Sequence, residues 1–131
     1  MHEMGIASSV VDIVRQHVTD DQAPLVRRIC MRVGEMAGVQ TESLAFCFEA
    51  IVAGTPLAGA ALIVEVVPAV RACRGCGERF GDSSFLAICP ACGSAEVPFV
   101  SGAELTVSEL ELDDENEASG HEIRQAAGAR P

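Results

Sequence analysis

Apolar and polar residues follow changing rhythms along this chain, and each change marks an element. From Met4 to about Val18, Ile6, Val10, Ile13 and Val14 recur at the spacing of one helix face. Gly5 sits where a cap could stand, although glycine caps less well than Ser or Asp. His17 falls in the last turn, a structural position favoured by the helix dipole. Asp20-Asp21-Gln22-Ala23-Pro24 reads as a loop. Leu25 to Val33 switches to a period of two: Ile29, Met31 and Val33 alternate with Arg28, Cys30 and Arg32, the pattern of a half-buried strand. After a turn-rich link over residues 34–39, Thr41 is placed to cap a second helix with Glu42 in its first turn. Leu44, Cys47, Phe48, Ile51 and Val52 form the apolar stripe of that helix, and Gly54 stops it. Cys30 and Cys47 are read as small core or half-buried residues rather than reactive thiols. Leu62 to Val67 is a near-continuous apolar run, a second strand. Leu105 to Leu112 is a third, with imperfect alternation. Over residues 72–98 the periodicity vanishes and Cys, Gly and Pro become dense. From Asp113 onward apolar content is lost, which predicts a mostly disordered acidic tail that includes His121.

These elements predict an α+β fold in which a three-stranded sheet is flanked by two helices and carries an inserted four-cysteine module. Residues 1–71 and 99–112 would form the α/β domain, 72–98 the module, and 113–131 the tail. At 131 residues the chain is long enough for one domain with a small appendage, and 49% hydrophobic residues suffice for a core without Trp or Tyr. A formal net charge of -10 repels phosphate and argues against nucleic acid as a partner. No apolar run is long enough to span a bilayer, and the start lacks the features of a signal peptide, so a cytoplasmic protein is expected. In that compartment six cysteines point to metal rather than disulfides.

Cys73-Arg-Gly-Cys76 and Cys89-Pro-Ala-Cys92 are two CxxC pairs, each able to turn two sulfurs toward one ion, with Gly75, Gly77, Pro90 and Gly93 supplying the turns. Four thiolates would complete a tetrahedral shell around Zn(II), with no open position for water or substrate, so the expected zinc is structural. A redox role would need one pair at the N-terminus of a helix following a strand, and this Gly- and Pro-rich setting does not offer that. A second candidate lies at the start. The Met1 amine, the His2 amide nitrogen and the His2 imidazole could close two small fused chelate rings, a donor set suited to Ni(II) or Cu(II). That site requires Met1 to be retained, and bulky His2 obstructs removal of the initiator. No Ser/His/Asp arrangement, phosphate-cradling loop or His-x-x-x-His pair is present, so the chain reads as a binding protein rather than an enzyme.

Met1-His2-Glu3-Met4, Gly34-Glu35-Met36-Ala37-Gly38-Val39, Phe48-Glu49, Gly54-Thr55 and the Cys73/Cys76–Cys89/Cys92 ribbon, in this order, resemble the HypA/HybF family of nickel chaperones. The resemblance covers residues 1 to about 112. It implies nickel bound through His2 with Met1 and Glu3 beside it, structural zinc on the four cysteines, a GTPase partner of the HypB type, and delivery to a [NiFe]-hydrogenase precursor, in some organisms also urease. A monomer or a homodimer would serve. The chain departs from the family at Gly5, where relatives usually carry Ser, and in the tail, which has no counterpart. The alternative is a zinc-ribbon module that binds other proteins without carrying a second metal.

Overall fold

The computed structural model describes residues 2–82, 84, 87–113 and 118–127. Helix α1 (Glu3–His17) buries Ile6, Ala7, Val10, Ile13 and Val14, the face that the helical spacing predicts. Its N-cap is His2 rather than Gly5, so the helix begins earlier than the glycine suggests, with Glu3 in its first turn. A short 3-10 turn (Ala23–Leu25) leads into strand β1 (Val26–Gly34). Helix α2 (Thr41–Val52) buries Leu44, Phe48 and Val52. Its N-cap is Gln40, with Thr41 already helical and no side chain of its own closing the end. Gly54, with φ +76, follows the C-terminus in the left-handed conformation that glycine adopts without strain.

Strand β2 (Ala61–Val67) pairs parallel to β1, and strand β6 (Leu105–Asp113) pairs antiparallel on its other side. Between them the chain makes three three-residue strands: β3 (Val70–Ala72), β4 (Arg79–Gly81) and β5 (Phe99–Ser101), in the order β4-β3-β5. The main sheet has four strands, in the order β2-β1-β6-β7, because Ala118–Ala126 forms strand β7 antiparallel to β6. The structure thus adds a fourth strand to the three expected, from residues in the stretch that composition reads as a tail. Residues 114–117 and 128–131 of the tail lie outside the described residues. A composition poor in apolar residues does not prevent pairing here, because β6 supplies a ready ladder of backbone donors and acceptors.

Both helices contribute to one core with the sheet, in which Ile29, Met31 and Val33 meet Val107, Leu110, Phe48, Val10 and Ile13. The opposite sheet face carries Arg28 with Glu111 (3.3 Å) and Arg32 with Glu65 (3.5 Å), exposed pairs worth little individually. Cys73, Cys89 and Val97 form a second, separate core beneath the module.

The two parts meet at glycines. The Gly34 N–H donates to the Glu104 carbonyl (2.7 Å) and the Met36 N–H to the Gly102 carbonyl (2.6 Å). The Glu35 carboxylate accepts from the Ala69 N–H (2.8 Å), and the Glu104 carboxylate accepts from the Gly102 N–H (2.8 Å). A Cβ on Gly34 would stand 2.0 Å from the Gly102 carbonyl oxygen, so only glycine fits. Gly34→Ala should therefore force the junction apart and destabilise the protein by about 1–3 kcal/mol. A shift in the urea midpoint with an unchanged slope is the expected readout, and an unshifted midpoint would contradict the close approach.

Candidate metal sites

The two cysteine pairs fold into matching knuckles. At each one, the N–H of the residue four beyond the first cysteine donates to that cysteine's carbonyl: Gly77 to Cys73 and Gly93 to Cys89, both at 2.9 Å. Each first-cysteine N–H in turn donates across the loop, Cys73 to the Glu78 carbonyl and Cys89 to the Ser94 carbonyl, again at 2.9 Å. Gly77 (φ +80) and Gly93 (φ +79) close the turns in the left-handed region. Sequence spacing assigns the pairs but not this repeated hydrogen-bond scheme.

The four sulfurs converge. Each lies within 4.8 Å of the others, with Cys73 Sγ 3.5 Å from Cys92 Sγ and Cys76 Sγ 3.5 Å from Cys89 Sγ. A tetrahedral Zn(II) shell with Zn–S near about 2.3 Å requires sulfurs roughly 3.8 Å apart, so the arrangement fits such an ion. Backbone N–H groups of Gly75 (3.3 Å) and Cys76 (3.5 Å) point at Cys73 Sγ, and that of Ala91 (3.4 Å) at Cys89 Sγ. The Cys76 and Gly75 amides are among the causes that lower the Cys73 thiol to about 6. The Glu78 amide pulls Cys76 the same way, but the Cys89 thiol and desolvation outweigh it and leave Cys76 at about 12. Cys92 is also raised, the pull of the Ser94 amide being outweighed chiefly by its contact with Cys73 and by desolvation. Crowded sulfurs that share charge part in this way, Cys73 taking the negative charge more readily than Cys76 or Cys92.

Arg71 braces the module. It is buried, donates to the Val97 carbonyl (2.7 Å) and the Ser84 carbonyl (2.5 Å), and lies over the Phe99 ring at 4.0 Å. The sequence reading did not single it out. An arginine inside a three-residue strand gives no periodic signal.

At the start of the chain, His2 is exposed and extended (φ -86, ψ 112), and its side chain makes no capping bond. Its carbonyl accepts the Ile6 N–H (3.1 Å), while its own N–H precedes the helical ladder, where no intrahelical acceptor exists. Met1 lies outside the described residues. Glu3 reaches across to α2: its Oε2 accepts the Gln40 N–H at 3.1 Å. That bond, followed by its own amide, holds the Glu3 carboxyl below its usual range. One carboxylate thereby sits at the N-termini of two helices, where negative charge is favoured. The sequence hides this contact, because Thr41 offers a capping side chain one position beyond the Gln40 cap that the structure shows. Glu3→Ala should speed hydrogen exchange at the Gln40 amide while leaving the four-cysteine cluster intact. An unchanged Gln40 exchange rate would show that the bond does not hold α2.

The four-cysteine group is the only His/Cys/Asp/Glu cluster with metal-holding geometry among the described residues, and among them no helix is long and apolar enough to cross a membrane. The sequence profile described as "Hydrogenase/urease nickel incorporation, metallochaperone, hypA" matches residues 1–112. The hydrogenase maturation factor HypA of Prosthecochloris aestuarii is 43% identical over 113 residues, which cover 86% of this chain and 100% of that protein. That of Chlorobaculum parvum is 42% identical over 113 residues, with the same coverage. Among solved structures, the solution structure of the Ni metallochaperone HypA from Helicobacter pylori matches with TM-score 0.52 at 19% identity, over 98% of this chain and 100% of that one, a likeness of fold. With the profile covering nearly all of the two-lobed fold and relatives matched from end to end, this chain belongs to the HypA family of hydrogenase maturation factors.

Proposed function

We propose that this chain is a nickel metallochaperone that takes up Ni(II) through Met1 and His2 and delivers it to a [NiFe]-hydrogenase precursor, with Zn(II) held by Cys73, Cys76, Cys89 and Cys92 as a structural ion. The observation that carries this reading is the state of His2: an exposed N-cap residue whose ring closes no bond to the helix and whose N–H lies outside the ladder. Both groups can turn to a metal without breaking α1. A cation at a helix N-terminus opposes the dipole, and the negative charge of a deprotonated amide together with the Glu3 carboxylate offsets that opposition. Glu3 is engaged through Oε2 with α2, so it orients the nickel-bearing end against its neighbour helix. The protein works as a carrier in the cytoplasm, handing metal on with a GTPase partner of the HypB type. Urease is the other recipient class in the family description.

The test is calorimetric nickel titration of the untagged, zinc-loaded chain beside a version with one residue added before Met1. The extension converts the chain-terminal amine into an amide and moves the amine away. Binding should weaken at least about 100-fold, since even outer partners of metal ligands are worth about 10–100-fold. Equal affinity in both chains would defeat the proposed ligand set and leave a protein-binding zinc module as the better reading.

A further inference from the structure

The family profile ends at Leu112, but the sheet does not. The outer edge of β6 belongs to the residues that the family profile matches, and its cover, β7, lies beyond them. An uncovered strand edge presents a row of N–H and C=O groups that another extended chain can pair with. Here the molecule fills that row itself.

The cover is weakly built. β7 reads Ala-Ser-Gly-His-Glu-Ile-Arg-Gln-Ala, with a single large apolar residue, Ile123, and a glycine as its third residue. β1, by contrast, carries Val26, Ile29, Met31 and Val33. The ladder between β6 and β7 is interrupted by a register shift between Val107 and Glu109. Immediately after it, the register sets Glu122 opposite Glu109, and like charges at facing positions weaken a strand pair. The far end is pinned modestly, by the buried Ala127 and its N–H bond to the Leu105 carbonyl (2.8 Å).

We infer that the outer edge of β6, Thr106 to Asp113, is a strand-docking surface, and that β7 is its displaceable internal cover. The occupant that replaces β7 is an extended segment of a partner polypeptide. It carries a basic residue at the position facing Glu109, and apolar residues at the positions facing Leu110 and Leu112. Leu110 and Leu112 are buried toward the core, and directly paired residues share a face, so the apolar positions of the incoming segment join that core. Glu109 is exposed on the other face and offers its negative charge to a basic residue of the incoming segment. This inference is independent of nickel.

The experiment uses the full-length, zinc-loaded chain. The probe is a labelled peptide with the sequence of residues 118–127 in which Glu122 is replaced by Lys, and Ser119 and His121, which face Leu112 and Leu110, by Val. Two full-chain variants are compared with the native protein. Gly120→Pro with His121→Pro removes two adjacent N–H groups, one of which must face β6, and so releases the cover. Glu122→Lys replaces a repelling pair with an attracting one and tightens it. Hydrogen exchange at Thr106 to Asp113 should quicken about 100-fold in the double proline variant, as expected for a local opening. It should slow several-fold in Glu122→Lys, in line with a cross-strand charge pair. Peptide binding, read by fluorescence anisotropy, should strengthen in the first variant and weaken in the second. Unchanged β6 exchange in the double proline variant would show that β7 covers nothing. Faster exchange without peptide binding would show that the edge is not a docking surface. Should the prolines disturb the whole fold, seen as lost helix signal, Glu122→Lys decides alone: unchanged or faster exchange overturns the inference.

Discussion

Replacing His2 by Ala is expected to reduce nickel affinity by on the order of 100-fold or more, with helix content and zinc stoichiometry unchanged. The asymmetry follows from where His2 sits. It is exposed, makes no side-chain cap, and contributes to α1 only through a carbonyl that accepts the Ile6 N–H, which alanine supplies equally well. Loss of the ring removes one chelate arm, and the remaining amine and amide nitrogens hold the ion less firmly. Proton competition gives the binding its pH dependence. An α-amine with an ordinary pKa of about 7.7–8.0 must give up its proton, as must any ligating amide nitrogen, so affinity should fall steeply below about pH 7 with protons released on uptake. Cu(II) should outcompete Ni(II) at the same donors by the general affinity order, which leaves selectivity to metal supply and to partner contacts. Calorimetry in two buffers of different ionisation enthalpy counts the released protons. A His2→Ala chain that binds nickel as tightly as the native one would remove the basis for the proposed carrier role.

Much of the fold is legible in the sequence because burial imposes simple periods. Ile6, Val10, Ile13 and Val14 mark the core face of α1, and Ile29, Met31 and Val33 that of β1. The CxxC spacing exposes the metal cluster because chelation demands it. What was hidden depends on contacts between residues far apart in the chain. The bond from Gln40 to Glu3 spans 37 positions. The need for glycine at position 34 becomes visible only when the Gly102 carbonyl is placed beside it. Strands β3, β4 and β5, of three residues each, are too short to show a period. β7 leaves little mark in composition, which reports the gain from burying side chains, because this strand is organised along a backbone ladder already formed by β6.

Replacing any one of the four cysteines by Ser, Cys89 for example, should unfold the module while α1, α2 and the main sheet persist. Zinc bound by four such ligands contributes on the order of 10–16 kcal/mol to the folding of its module, far more than a cluster of Cys73, Cys89 and Val97 can supply by apolar burial. The main core shares no buried residue with that cluster, which is why the damage should stay local. Native mass spectrometry should count one zinc in the native chain and none in the variant, with hydrogen exchange rising over residues 72–98 alone. A variant that keeps the module protected without metal would refute a structural ion. The zinc-loaded module needs all four sulfurs deprotonated, so it should tolerate alkali and fail in acid as protons displace the ion. Exchange over residues 72–98 measured with zinc content at pH 5, 7 and 9 follows that loss, and protection that outlasts the release of zinc in acid would show that the sulfurs do not hold the module through a shared metal.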